Sequence, residues 1–265
     1  MKINCKAIAQ KWKDECKGVN AGLAIVQVGD NPSSNSYIKG KMKDCDEIGF
    51  RAELHKFPED VSEKEVLDCI DKLNKNNDID GIIVQLPLPK HLDAVKITNA
   101  VLVEKDVDGF LPNSPYVPCT ALGVVSLIDE LNIDITGKLV VVLGRSEFIG
   151  KRIADMLLAK NATVAICHSK TNVGVKNNLL ANADVIIAAV GKPRLFSYKD
   201  IQKGTVVIDV GINKTVDGLC GDFNPPEQDN YCDYTTVPGG VGLLTRAMLM
   251  KNTMEAKRKQ NNKGE

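Results

Sequence analysis

No C-x-x-C pair occurs among the eight cysteines of this chain, and its three histidines, His55, His91 and His168, lie far apart. No metal site is expected from that spacing. The cysteines (5, 16, 45, 69, 119, 167, 220 and 232) carry no nucleophile signature, and in a reducing compartment most are expected to be small core side chains. An excess of either charge is also missing, because Lys plus Arg and Asp plus Glu both total 34. No global field draws such a chain to nucleic acid or anionic lipid, so a small-molecule partner is the expectation. No apolar run approaches the roughly 20 residues of a membrane span, and charges interrupt the opening M-K-I-N-C-K-A-I-A-Q too often for a signal peptide. A soluble cytoplasmic protein is expected. Its 265 residues suffice for two domains of ordinary size.

The stretch V-G-D-N-P-S-S-N-S-Y-I-K-G-K-M-K-D-C, residues 28–45, turns an apolar strand (22–28) into a polar helix. Asn31 and Pro32 supply a cap and a first helical residue, and Gly49 a terminator, which predicts a helix over 32–48. Tyr37 and Lys41 then stand one turn apart on one face. A phenol and an amine sharing a pocket suggest proton-transfer chemistry, provided burial or neighbours tune the amine. Lys41 also precedes Asp44 by three residues, the spacing of an ordinary solvated ion pair.

The N-terminal half alternates strands (22–28, 51–57, 81–86) with helices (32–48, 62–74), which implies a parallel sheet. An amphipathic helix over 3–17 precedes them, with Ile8 and Trp12 on a shared face. The third strand runs into Q-L-P-L-P, leaving Gln85 at the C-terminal edge where ligands gather in open parallel sheets and where its amide can meet Lys41. After a helix over 92–101, E-K-D-V-D-G-F-L-P places Asp106 and Asp108 two apart in a turn. One serves the turn; the other is a carboxylate able to hold the N–H edge of a bicyclic base.

Residues 113–118 read as a linker and 119–131 as a helix, after which a second unit begins. Strand 139–143 leads into G-R-S-E-F-I-G, a helix over 149–160 and strand 163–167, a βαβ unit of mononucleotide-binding length. Only Gly144 and Gly150 are present, so the G-x-G-x-x-G pattern lacks its middle glycine. The second strand ends in C-H-S-K-T without the acidic residue that holds a ribose diol. Arg145, His168, Ser169 and Lys170 instead supply cations and a hydroxyl suited to a 2′-phosphate, favouring NADP over NAD. Strands 184–190 and 205–210 end at Gly191 and Gly211, where backbone can approach a cofactor. V-P-G-G-V-G, residues 237–242, leads into a helix over 244–257, and the tail 257–265 is expected to fray.

Together, V-G-D-N-P-S-S-N-S-Y-I-K-G-K, G-I-I-V-Q-L-P-L-P, K-D-V-D-G-F, G-R-S, C-H-S-K-T, V-I-D-V-G-I-N and V-P-G-G-V-G resemble the bifunctional methylenetetrahydrofolate dehydrogenase/methenyltetrahydrofolate cyclohydrolase family. The resemblance spans about nine tenths of the chain. It implies an α/β fold with a folate-binding catalytic domain over 1–118 and a Rossmann-like NADP-binding domain over 119–243, the helix 244–265 returning to the first. It further implies a homodimer acting on one-carbon tetrahydrofolates, with Lys41, Gln85, Tyr37 and Asp108 as the catalytic set. Ser34, Leu86, Gly239, Gly240 and Leu243 would join Tyr37, Gln85 and Asp108 around substrate. Ser146, Ile149, Val190 and Ile212 would join Gly144, Arg145, Gly150, His168, Ser169, Lys170, Gly191 and Gly211 around the cofactor.

Four positions depart from the family pattern: Ala121, Thr236 and Leu243 stand where proline is usual, and Arg152 replaces a proline after G-R-S. Leu243 bears on the dehydrogenase step more than on hydrolysis. The alternatives are a monofunctional cyclohydrolase or dehydrogenase and a non-catalytic folate- or nucleotide-binding homologue. The intact Tyr37, Lys41, Gln85 and Asp108 set speaks against the last. Amino-acid and shikimate dehydrogenases share the two-domain layout but not the Y-I-K-G-K stretch.

Overall fold

The computed structural model describes residues 1–227 and 230–262. In chain order the elements are α1 (Cys5–Asp14), β1 (Gly22–Val28), α2 (Pro32–Ile48), β2 (Arg51–Phe57), α3 (Glu63–Lys75), β3 (Gly81–Val84), α4 (Ala94–Asn99) and α5 (Cys119–Glu130). There follow β4 (Leu139–Leu143), α6 (Arg152–Leu158), β5 (Thr163–Cys167), α7 (Val173–Asn182), β6 (Val185–Ala188), β7 (Phe196–Ser197) and β8 (Val206–Asp209). Last come β9 (Asn213–Thr215), β10 (Gly218–Cys220), β11 (Phe223–Asn224), β12 (Asp233–Tyr234) and α8 (Val241–Asn262). Among the described residues, no helix is long and apolar enough to cross a membrane.

Two compact units form. The first comprises Gln10–Cys119 and the chain from Arg246 onward; the second comprises Met1–Ala9 and Thr120–Thr245. In the first, a parallel sheet of order β2-β1-β3 buries all of β1 and sets Ala24, Val26, Ile70, Ile82 and Ile97 in one core. Edge strand β2 keeps Arg51, Glu53 and Lys56 exposed, which protects its unpaired rim. The chain's first residues join the second unit instead of the first, because Lys2 bridges Tyr234 in parallel and the Met1 ammonium meets Asp233.

The second unit carries a five-stranded parallel sheet of order β12-β8-β6-β4-β5. The order reverses at β4, whose neighbours are β5 on one side and β6 on the other, and the crevice beyond such strand ends is where dinucleotides bind. Strands β6 and β8 are shorter than the sequence pattern suggests. The N–H of Val190 is taken by the Asp222 carboxylate, and that of Asp209 by the Thr235 hydroxyl. The helix after β4 begins as a π-helical turn, Glu147–Lys151, and ends at Leu158.

Helix α8 runs to Asn262 where fraying from 257 was expected. Lys257 Nζ lies 3.4 Å from the buried Asp80 carboxylate, Gln260 donates to the Asp80 carbonyl, and Lys259 Nζ stands 4.9 Å from the Tyr116 ring centroid. These contacts offset the entropy of ordering the last turns. The expected frayed positions 263–265 lie outside the described residues. Six of the eight cysteines are buried and all are free.

Candidate active site and dinucleotide site

Asn31 starts α2 by accepting hydrogen bonds from the N–H groups of Ser33 and Ser34, and Gly49 ends it at φ +81°. That fixed register turns Lys41 inward, where it is 7% exposed. Its Nζ donates to Gln85 Oε1 at 3.0 Å. The amide is oriented in turn, because Gln85 Nε2 donates to the Leu86 carbonyl at 2.9 Å and so presents its oxygen to the amine. The Ser34 hydroxyl reaches the same carbonyl at 3.5 Å. The alternative pairing of Lys41 with Asp44 is displaced, since the buried Asp44 carboxylate is taken by Lys13 at 2.8 Å and Arg246 at 3.1 Å.

The two aspartates of the K-D-V-D-G-F stretch divide their work. The Asp106 carboxylate accepts from the N–H groups of Leu111 and Phe110 and closes the turn. Asp108 is half-buried; burial pushes its carboxyl up, while the Lys41 ammonium and a Cys119 hydrogen bond oppose that shift. Cys119 Sγ also donates to the Val107 carbonyl, and Asn252 Nδ2 donates to the same carbonyl at 2.9 Å. Tyr37 is half-buried; burial raises its phenol, with Arg246 opposing. Lys41, Gln85, Tyr37, Asp108, Ser34 and Leu86 all belong to the first unit. An amine held by an oriented amide, with a carboxylate under the influence of its charge, has the chemistry to move protons.

Cysteine 119, Asn252 and Arg246 were not singled out from the sequence. Only the placement of α8 brings the last two to this unit, and no local signal announces it.

In the second unit Gly144 leaves β4 at φ +112°, and a Cβ there would stand 2.3 Å from the Ala189 carbonyl oxygen. A Cβ on Gly150 would stand 2.3 Å from the Gly144 carbonyl oxygen. The two glycines thus pack the turn directly on the start of the helix, leaving a cradle bordered by exposed Arg145 and Ser146 and half-buried Ile149. The Ser146 hydroxyl accepts from the Gly150 N–H at 3.4 Å. At the end of β5, His168 Nδ1 accepts from the Lys170 N–H, which leaves the neutral ring's proton on Nε2; Ser169 and Lys170 are exposed. Close glycine packing, cations and hydroxyls with no carboxylate at 168–170 fit a dinucleotide bearing a 2′-phosphate.

Val190 and Ile212 are exposed beside Gly191 and Gly211 at the ends of β6 and β8. Gly239, Gly240 and Leu243 belong to the second unit, at the start of α8. The Leu243 N–H donates to the Gly240 carbonyl at 3.0 Å, a bond that the family's proline cannot make.

A family model for the tetrahydrofolate dehydrogenase/cyclohydrolase catalytic domain matches residues 2–108, and one for its NAD(P)-binding domain matches 118–261. The chain belongs to the tetrahydrofolate dehydrogenase/cyclohydrolase family. It is 45% identical over 254 residues to the bifunctional protein FolD of Bacillus cereus, covering 91% of this chain and 87% of the relative. Among solved structures, the bifunctional FolD of Campylobacter jejuni superposes with a TM-score of 0.91 at 36% identity, over 98% of this chain and 99% of that one. The Trypanosoma brucei FolD, solved with NADP and an inhibitor, gives 0.90 at 32% identity, over 98% of each chain. The family reading of the sequence, its two-domain α/β fold and its NAD(P)-binding half agree with these matches.

Proposed function

We infer that this chain catalyses two consecutive reactions of one-carbon tetrahydrofolates. In the first, hydride passes from the methylene bridge of 5,10-methylenetetrahydrofolate to NADP, leaving the 5,10-methenyl cation. In the second, water adds to the methenyl carbon, its bond to N5 breaks, and 10-formyltetrahydrofolate and a proton result. The observation that carries this reading is the buried Lys41 amine, held by an oriented Gln85 in a chain matching both family domains.

Lys41 handles the protons of the hydrolysis at Nζ, and Gln85 aims that nitrogen. Asp108 accepts hydrogen bonds from the N–H edge of the pterin, and Tyr37 lies against the folate through its ring. Ser34, Leu86, Gly239, Gly240 and Leu243 complete the contacts to substrate. Bound NADP supplies the hydride acceptor; Gly144, Ser146, Ile149 and Gly150 hold its pyrophosphate, and Arg145, His168, Ser169 and Lys170 its 2′-phosphate. Val190, Gly191, Gly211 and Ile212 border its nicotinamide half. The working form is a cytoplasmic homodimer, a state that sedimentation velocity of the purified chain reports directly.

Separate assays of NADP reduction and of methenyl-tetrahydrofolate loss test the reading. Absence of both would leave a binding homologue, and one alone a monofunctional enzyme. The 2′-phosphate assignment has its own test. The double variant Arg145→Ala, Lys170→Ala raises KM for NADP by about tenfold or more, since bonds to charged groups contribute about 1.5–3 kcal/mol each. KM for NAD stays the same; an equal rise for both cofactors contradicts the assignment.

A further inference from the structure

Asp209 and Asp222, respectively 2% and 0% exposed, lie in the second unit, and among the described residues neither has an ion-pair partner. Their hydrogen-bond donors are backbone amides and one side-chain amide, that of Asn213. Asp222 Oδ2 accepts from the N–H groups of Val190 at 2.7 Å and Gly191 at 3.0 Å. Its Oδ1 accepts from the N–H of Lys192 at 2.8 Å and from Asn213 Nδ2 at 3.0 Å. Asp209 Oδ1 accepts from the N–H groups of Gly211 at 2.9 Å and Asp222 at 3.1 Å, and its Oδ2 from Phe223 at 2.8 Å. Glycine makes room for both carboxylates. A Cβ on Gly211 would come within 2.2 Å of Asp222 Oδ1, and one on Gly221 within 1.9 Å of Asp209 Oδ2.

The bonds of Asp222 tie the turn after β6 to Asn213, the first residue of β9, which directly follows the turn after β8. Those turns expose Val190 and Ile212, two apolar side chains at adjacent strand ends. Arg145 and the 168–170 loop, which suit the 2′-phosphate, follow β4 and β5. With strand order β5-β4-β6-β8, the other half of the dinucleotide extends over β6 and β8.

We propose that Asp222 is a positioning residue for the nicotinamide half of NADP, acting through the 190–192 turn and Asn213, with Asp209 holding the strand that carries it. This rests on the dehydrogenase reading above. Loss of the carboxylate frees two turns that must stand at a fixed separation to grip a flat ring. Burial pushes the Asp209 carboxyl up to about 6, with Phe223, Asp222 and Gly211 amides opposing.

The test uses the full chain with Asp222→Asn and, as a milder variant, Asn213→Ala. Calorimetry measures NADP and adenosine 2′,5′-bisphosphate, which lacks the nicotinamide half. Hydrogen exchange follows the amides of 190–192. Asp222→Asn weakens NADP by about tenfold or more, as expected for lost bonds to a charged acceptor, and Asn213→Ala by about threefold. Both leave the bisphosphate unchanged while the 190–192 amides lose protection. Equal weakening of both ligands, or faster exchange without weaker NADP, overturns the proposal. Should Asp222→Asn fail to fold, Asn213→Ala decides by the same comparison. Failure of the unaltered chain to bind NADP would instead overturn the dehydrogenase reading.

Discussion

Lys41→Met lowers methenyl-tetrahydrofolate hydrolysis by about 10²- to 10⁴-fold, the usual contribution of one positioned acid–base group. Hydride transfer needs orientation more than proton exchange, so NADP reduction falls by less than about tenfold. The two rates, followed separately by absorbance, must therefore diverge; parallel losses would show that Lys41 serves the fold and not the hydrolysis. Methionine keeps the buried chain but removes the donor to Gln85 Oε1 and the cation that holds the Asp108 carboxyl down. The sign of the pH effect follows. Asp108 offers a carboxylate above its raised pKa and loses it as pH falls through that value. Without the ammonium that pKa rises further, so folate binding by Lys41→Met fails at a higher pH than in the unaltered chain. Titrating 5-formyltetrahydrofolate against both proteins as pH is lowered from neutral checks the direction. An unchanged profile would mean that the Lys41 charge does not govern Asp108.

Gly144→Ala destabilises the second unit and abolishes NADP binding. Two costs add at this position. A Cβ at φ +112° is strained by about 1–2 kcal/mol, and its approach to 2.3 Å from the Ala189 carbonyl oxygen forces a backbone shift of about 1–3 kcal/mol. The sum, about 2–5 kcal/mol, lowers the melting temperature by roughly 10 °C for a unit of this size. Gly137→Ala is the control: its φ is +70°, but nothing lies within 4 Å of the new Cβ, so only the backbone term applies. Thermal melts of the two variants, with NADP binding by fluorescence quenching, separate steric from conformational effects. Equal melting temperatures would refute the close-packing argument.

The sequence made the local half of this arrangement legible. Asn31, Pro32 and Gly49 are helix signals that act within a turn of themselves, so the register placing Tyr37 and Lys41 on one face could be read directly. The choice of Lys41 between Asp44 and Gln85 could not. It depends on Lys13 and Arg246, distant in the chain, which take the Asp44 carboxylate and leave the amine to the strand-end amide. The fate of Asp106 against Asp108 was open for the same reason, being settled by which carboxylate reaches the amides of Phe110 and Leu111. Strands of two or three residues such as β9, β10 and β12 are too short to show a period. Asp209 and Asp222 carry no sequence signal of their own, because the amides that the chain folds onto them come from 190–192, 211, 222 and 223.

Arg246 and the rest of α8 beyond it belong to a unit whose other residues end at Cys119. During synthesis, then, the unit holding Lys41 waits. Its Asp44 lacks one of two cations, and Asp80 lacks Lys257 and Gln260, until the last turns of α8 have left the ribosome. The second unit, whose residues stop at Thr245, has its complete sequence first. The unit translated first is thus completed last, and a chain released before residue 246 keeps every residue of the second unit while losing the α8 partners of Asp44 and Asp80.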